Sequence, residues 1–374
     1  MKNTLVILDQ ASGYLQIDML EALASKYERC VIIAGTIVER ETKLPENVVW
    51  HKVIEYKKTS FPKRIFTWLL CSFQMYWHLL TKYRKARVIA VTNPPLTPFV
   101  CLLSRVSFDV LVYDLYPDTF INYKILSWNN PIAKVWVHFT KSALKKANRI
   151  FTITQGLANE IEKYTDKQIE IIPIWTNNQF FSKIEKKSNL FLNSNTELNN
   201  KFIVSYSGNL GKTHPIESIL DLAERFRMDH LYHFVIIGGG HKFETIQNEI
   251  RNRKLTNVKL LPWQDVEMLP HVLQAADINV VTLDKEAANL SIPSKTFNLF
   301  SSGRPIMAIC SSNSSLSILL HETNAGRAFD ESQITEMHTF LKEVKGSKDL
   351  QMEYSSNALL ASNLFTKKNA KLFL

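Results

Sequence analysis

Short apolar runs and helix-length amphipathic stretches take turns along this chain, and they do so twice, on either side of a polar interval. In the first half, Thr4–Leu8, Val31–Ala34, Arg87–Thr92, Val110–Asp114, Arg149–Thr154 and Gln168–Pro173 read as buried strands. Helical patterns such as Asp18–Tyr27 and Ala133–Ala147 lie between them. In the second half, Phe202–Tyr206, His233–Ile237, Val258–Leu261, Asp277–Val281 and Ile306–Ile309 alternate with helical patterns at Pro215–Phe226, Lys242–Arg253, Val266–Ala275 and Ser314–Glu322. Strands of this kind, each followed by a helix, pair in parallel with helices covering both faces of the sheet. The fold class expected is therefore α/β, with two Rossmann-like doubly wound domains.

A chain of 374 residues is long enough for two such domains. The polar interval, residues 177–201, is rich in Asn, Ser and Lys and reads as the linker. This sets an N-terminal domain over 1–176, a C-terminal domain over 202–350 and a tail over 351–374. In open parallel sheets ligands sit at the carboxyl ends of the strands, here in the cleft expected between the domains.

Charge narrows the partners. The net charge is +10, so an anion is expected: nucleic acid, phospholipid or a phosphorylated small molecule. No zinc-finger or RNA-recognition signature occurs, which removes nucleic acid from the expected partners. Lys57, Lys58, Lys63 and Arg64 precede the apolar run Ile65–Leu80, and Lys82, Arg84, Lys85 and Arg87 follow it. That run is shorter than the roughly twenty residues a membrane-spanning helix needs. It reads either as a buried helix with a solvated basic rim or as an interfacial helix with Trp68, Tyr76 and Trp77 at headgroup level. The membrane contacts expected on the second reading are Lys63, Arg64, Trp68, Lys82, Arg84 and Lys85. Cys30, Cys71, Cys101 and Cys310 are widely spaced, which points to a reducing compartment. The histidines show no helical pairing, so no metal is expected.

The stretch Asn289–Pro305 concentrates the signals for a site. Pro293 and Ser294 suit the start of a helix, Gly303 and Pro305 its end, and Ile306–Ile309 follows as a strand. Lys295 stands at that helix start, a place suited to phosphate. Gly208 and Gly211 follow a strand and let backbone N–H groups approach an anion, with Lys212 beside them. Gly238-Gly239-Gly240 lacks the spacing of a dinucleotide fingerprint, and no P-loop closes any of these turns. Gly13 follows the first strand. Asp114 and Asp118 lie past a first-half strand end, where they either orient a hydroxyl or act as a base, or else serve turn and cap.

Tyr206-Ser-Gly-Asn-Leu-Gly, Val235-Ile-Ile-Gly-Gly-Gly, Val258-Lys-Leu-Leu-Pro-Trp, Leu273-Gln-Ala-Ala-Asp and Ile292-Pro-Ser-Lys with Ser302-Gly-Arg-Pro together resemble glycosyltransferase family 4. Asn93-Pro-Pro, Asp114-Leu-Tyr-Pro-Asp and Ile172-Pro-Ile-Trp are similar to its bacterial capsule, O-antigen and exopolysaccharide branch. The resemblance implies a GT-B fold and retaining transfer from a UDP- or GDP-sugar, a co-substrate with no cofactor or metal. It implies a lipid-linked glycan acceptor on the N-terminal domain, a cytoplasmic protein peripheral on the inner face of the cell membrane, and a tail crossing back to the N-terminal domain. Carried over, Gly208, Asn209 and Lys212 lie near the donor's diphosphate with Lys295 assisting and Gly13 approaching it, Ser294 is donor-binding, Trp263 edges the base, and Asn298 faces the ribose and sugar. Two glutamates usual in the family are replaced by Leu290 and Asn298, and its first-domain histidine by Tyr113, which leaves Asp114 and Asp118 as the catalytic candidates. A sugar-nucleotide epimerase and a non-catalytic partner subunit are the alternatives.

Overall fold

A computed structural model describes residues 3–39, 42–57, 60–212 and 214–374. The chain divides into two compact units, Met1–Trp175 with Asn289–Ser291 and Lys367–Leu374, and Thr176–Ala288 with Ile292–Thr366.

The first unit opens with β1 (Thr4–Leu8), buried along its whole length, and a two-residue strand β2 (Ala11–Ser12). Helix α1 runs over Tyr14–Leu23 and then tightens into a 3-10 turn. It starts four residues before the expected Asp18. The reason is local: the Gln16 side chain accepts from the Gly13 N–H at 3.1 Å, satisfying a donor at the helix start. Strands β3 (Arg29–Ala34), β4 (Thr36–Ile37) and β5 (Val48–Lys52) follow, then α2 (Phe61–Thr81), β6 (Arg87–Val91), α3 (Thr97–Ser104) and β7 (Ser107–Val112). The unit continues through α4 (Asp118–Asn122), α5 (Pro131–Lys146), β8 (Ile150–Thr152), α6 (Gln155–Glu162) and β9 (Ile169–Ile171). Its main sheet has the order β5-β3-β1-β6-β7-β8-β9, all parallel. β5 escaped the sequence reading because it is an edge strand whose exposure alternates, so it shows no apolar run.

Residues 177–201, expected as a linker, are ordered in the second unit. Asn177 and Asn189 cap short turns with their side chains, α7 (Leu190–Ser194) forms among them, and Phe181, Phe191, Leu192 and Leu198 are buried. Polar composition misled here because the asparagines serve the backbone. Then come β10 (Phe202–Ser207), α8 (Glu217–Arg225), β11 (Tyr232–Ile237), α9 (Phe243–Asn252), β12 (Val258–Leu261) and α10 (Leu269–Ala275). They are followed by β13 (Ile278–Thr282), α11 (Lys295–Ser301), β14 (Ile306–Ile309), α12 (Ser315–Thr323), β15 (Gly326–Phe329), α13 (Ile334–Gly346) and α14 (Lys348–Ser362). The sheet order is β12-β11-β10-β13-β14-β15, again all parallel. The last turn, Lys367–Phe373, belongs to the first unit, where Phe373 meets Phe151 with ring centroids 4.8 Å apart and Lys367 pairs with Asp18 and Glu21.

In each sheet the strand order reverses at the first strand, β1 or β10. Those two strand ends are the switch points at which doubly wound folds leave room for a ligand.

Candidate active site

At the second switch point β10 runs into Ser207-Gly208-Asn209-Leu210-Gly211. The turn is pinned by its backbone: Gly208 N–H donates to Ile237 at 2.9 Å, Leu210 N–H to Gly239 at 2.9 Å, and the Tyr206 hydroxyl to the Asn209 carbonyl at 2.8 Å. Gly238 has φ +150°, and a Cβ there would stand 1.9 Å from the Gly208 carbonyl oxygen. Two glycine turns are thus stacked on each other, which requires glycine at Gly238.

Lys295 reaches this turn from the start of α11. Its Nζ lies 3.8 Å from the centroid of the Tyr206 ring and 2.6 Å from where a Gly208 Cβ would be. That nitrogen is shut off from solvent and has no hydrogen-bond partner among the described residues. Burial lowers its pKa to about 7. A solitary ammonium held under a glycine turn is chemically incomplete; a phosphate oxygen is the partner that would complete it. His214 stands nearby with Nδ1 3.1 Å from Thr282 Oγ1, its pKa lowered by burial and then by Lys295, and Lys242 donates to the His214 carbonyl and to Glu217. Trp263 is 57% exposed, with its indole nitrogen against Gly239.

Other expected residues fall differently. Asn209 and Lys212 are exposed at the turn; Thr213, next to Lys212, lies outside the described residues, as does Lys58. Ser294 was expected to cap α11 and does not: its backbone is already helical, with φ −57° and ψ −26°, so its hydroxyl makes no cap bond. Gly303 does end the helix, with φ +62°. The Asn298 carboxamide oxygen accepts from Thr176 at 2.7 Å.

At the first switch point Gly13 starts α1, and Gln16 links it to Tyr113, donating to that hydroxyl at 3.2 Å. Asp9, at the end of β1, is a buried carboxyl that the sequence reading missed. It accepts from the Asn93 carboxamide at 2.9 Å, and burial raises its pKa to about 7 against hydrogen bonds from Ser12, Ala11 and Asn93. Its signal was only a polar residue straight after an apolar strand. Asp114 is exposed in a crowded concavity, where desolvation raises its pKa and Arg64 pulls it back. Asp118 is 4% exposed and accepts from the Tyr164 hydroxyl at 2.5 Å. That buried bond takes Asp118 out of the catalytic pair expected.

The membrane contacts also need correction. Trp68 is 3% exposed, packed against Tyr116 and Phe120, and Arg64 lies over its ring while donating to the Tyr116 hydroxyl at 2.9 Å. Lys63, Lys82, Arg84 and Lys85 are exposed. Among the described residues no helix is long and apolar enough to cross a membrane, and no three His, Cys, Asp or Glu converge as a metal site.

Two doubly wound parallel units of this order define the GT-B fold. Anabaena HepE, solved in complex with UDP-glucose, shares it with a TM-score of 0.73 over 99% of this chain and 97% of that one, at 13% identity. Residues 187–359 are a domain matching the family described as "Glycosyl transferases group 1". The putative colanic acid biosynthesis glycosyl transferase WcaI of Escherichia coli is 28% identical over 175 residues, 46% of this chain and 43% of that protein. The probable glycosyltransferase WbjE of Pseudomonas aeruginosa is 22% identical over 245 residues, 64% and 61% of the two chains. The chain thus spans about half the length of these relatives.

Proposed function

We propose that this protein is a retaining glycosyltransferase that moves a sugar from a UDP- or GDP-sugar to a lipid-linked glycan acceptor in bacterial surface-polysaccharide synthesis. It would work from the inner face of the cell membrane and without a metal. The observation that carries the reading is Lys295, a buried ammonium without a hydrogen-bond partner among the described residues, against the Gly208 turn. Breaking the bond between the anomeric carbon and the diphosphate leaves negative charge on the departing oxygen. A fixed cation at that oxygen stabilises the charge as it develops, and it needs no rearrangement to do so.

The names of the relatives support the polysaccharide setting, and HepE's complex supports a uridine donor. Trp263 offers a ring for the base, and the exposed Asn209 at the turn offers an N–H donor for phosphate. In the first unit, Asp114 would orient the acceptor hydroxyl.

The test is thermal stabilisation by UDP- and GDP-sugars and by the free diphosphates, compared between wild type and Lys295→Ala. Stabilisation of the wild type by one series, lost in the variant, supports the donor site; no stabilisation by any of them sinks it. The anomeric configuration of the product, read by NMR, decides retention.

A further inference from the structure

Helix α2 is amphipathic with its second face unpartnered. Trp68, Cys71, Met75 and Leu79 point into the unit, whereas Phe66, Leu69, Phe73 and Trp77 are 62%, 56%, 63% and 59% exposed. The spacing 66, 69, 73, 77 is one stripe along the helix. The stripe continues across neighbouring helices of the same unit, with Leu103 of α3 and Ile132, Val135 and Phe139 of α5 also exposed. Each aromatic side chain carries about 150–250 Å², so the open face exceeds the few hundred Å² that a soluble monomer ordinarily leaves uncovered. Between the helices the face deepens into a groove of about 460 Å³ lined by Phe73, Tyr76, Leu103, Val135, Trp136 and Phe139. At roughly 30 Å³ per small group, the share of one water, it has room for on the order of fifteen methylenes.

Charge identifies the occupant. Residues 56–149 hold fifteen Lys and Arg against three Asp, a formal +12 where the whole chain is +10. Lys63, Lys82, Arg84, Lys85, Arg105, Lys134, Lys141 and Lys145 are exposed and enter no ion pair among the described residues. An apolar face bordered by unpaired cations matches a surface that is hydrocarbon inside and anionic at its edge. We propose that the α2–α3–α5 face seats in an anionic phospholipid bilayer and that its groove takes one acyl chain from that bilayer. This deepens the reading above, since it rests on a membrane-bound acceptor.

The test uses the full chain with vesicles of phosphatidylglycerol or phosphatidylcholine and with phosphatidylglycerol brominated along its chains. Binding to phosphatidylglycerol vesicles is expected, weakening with salt, and chain bromines should quench fluorescence in wild type and less so in Trp136→Phe. The double variant Phe73→Ser/Val135→Ser should bind at least about tenfold more weakly, given the hydrophobic free energy of two such side chains, with an unchanged melting temperature response to UDP-glucose. Absent vesicle binding, or binding unaffected by the double variant, overturns the proposal. So does quenching untouched by Trp136→Phe, or self-association through this face that Phe73→Ser/Val135→Ser abolishes while vesicles are ignored. Vesicle binding without any nucleotide response would instead sink the donor reading and leave the lipid groove standing.

Discussion

Lys295 and Tyr206 form a cation–π pair, the ammonium 3.8 Å from the ring centroid, and this contact substitutes for the hydrogen bonds that a buried lysine ordinarily finds. The pair lies at the end of β10, the strand where the second sheet's order reverses.

One consequence is protonic. The folded pKa of about 7 lies below the ordinary 10.5, so between those values the unfolded chain carries more protons. The contribution of Lys295 to stability therefore rises as pH climbs from about 7 to 10.5. Denaturant melts of wild type should show that rise, and Lys295→Met should lack it. A diphosphate beside the nitrogen would draw its pKa back up, so binding of UDP at pH 8 should take up close to one proton. Calorimetry in buffers of different ionisation enthalpy measures the uptake, and none in the wild type would mean that the nucleotide sits elsewhere.

The two glycines under this pair separate binding from folding. A Cβ at Gly208 meets chiefly the flexible end of Lys295, whereas one at Gly238 meets the Gly208 backbone and also carries φ +150°. Gly208→Ala should fold normally yet bind nucleotide about tenfold or more weakly, the loss expected when a charge-assisted bond of roughly 1.5–3 kcal/mol is displaced. Gly238→Ala should lose about 1–3 kcal/mol of stability through backbone strain. Equal melting temperatures for the two variants would remove this distinction.

Much of this was legible from residues alone. The two sheets were, because strands such as β1 (Thr4–Leu8) and β14 (Ile306–Ile309) carry short apolar runs and helical patterns alternate with them. The juxtaposition of Lys295 with the Gly208 turn was foreshadowed only as two separate signals, a lysine at a helix start and a glycine turn after a strand, each suited to an anion. The pairing of Lys295 with Tyr206 was not, since the residues are distant in sequence and only the fold puts an aromatic ring beneath the ammonium. Trp68 went the wrong way because a tryptophan within a basic, apolar segment suits a lipid interface and a helix core equally well. The stripe 66, 69, 73, 77 and its neighbours on α5 decide which face is which, and that requires knowing how α2 packs.

Asp9 gives a pH effect of opposite sign to that of Lys295. Its folded pKa of about 7 exceeds the ordinary 3.8, so the folded state holds a proton that the unfolded chain has released between those values. The stability it contributes is complete below about 4 and lost as pH rises through 7. Asp9→Asn keeps an oxygen that can accept from Asn93 and has no charge to bury. It should match wild type at pH 4 and be the more stable of the two at pH 8, by denaturant melts. A wild type that is the more stable at pH 8 would mean that the carboxylate is ionised and held by a cation.

The two first-unit aspartates should part company under mutation. Asp118 is buried and accepts from Tyr164, so Asp118→Ala strands a phenolic hydroxyl and should cost about 1–3 kcal/mol. Turnover per folded molecule should be unaltered, because no substrate reaches a carboxylate that is 4% exposed. Asp114 is exposed just past the end of β7, with its N–H and that of Tyr113 both donating to Thr92 Oγ1, at 3.3 and 3.0 Å. Those bonds fix the backbone while leaving the carboxylate open to an acceptor hydroxyl. Asp114→Ala should therefore melt within about 0.5 kcal/mol of wild type and transfer sugar at least about tenfold more slowly. Donor hydrolysis measured without acceptor sharpens the comparison. If Asp114 orients the acceptor, hydrolysis survives the substitution while transfer falls, and an equal fall in both would place the aspartate on the donor instead.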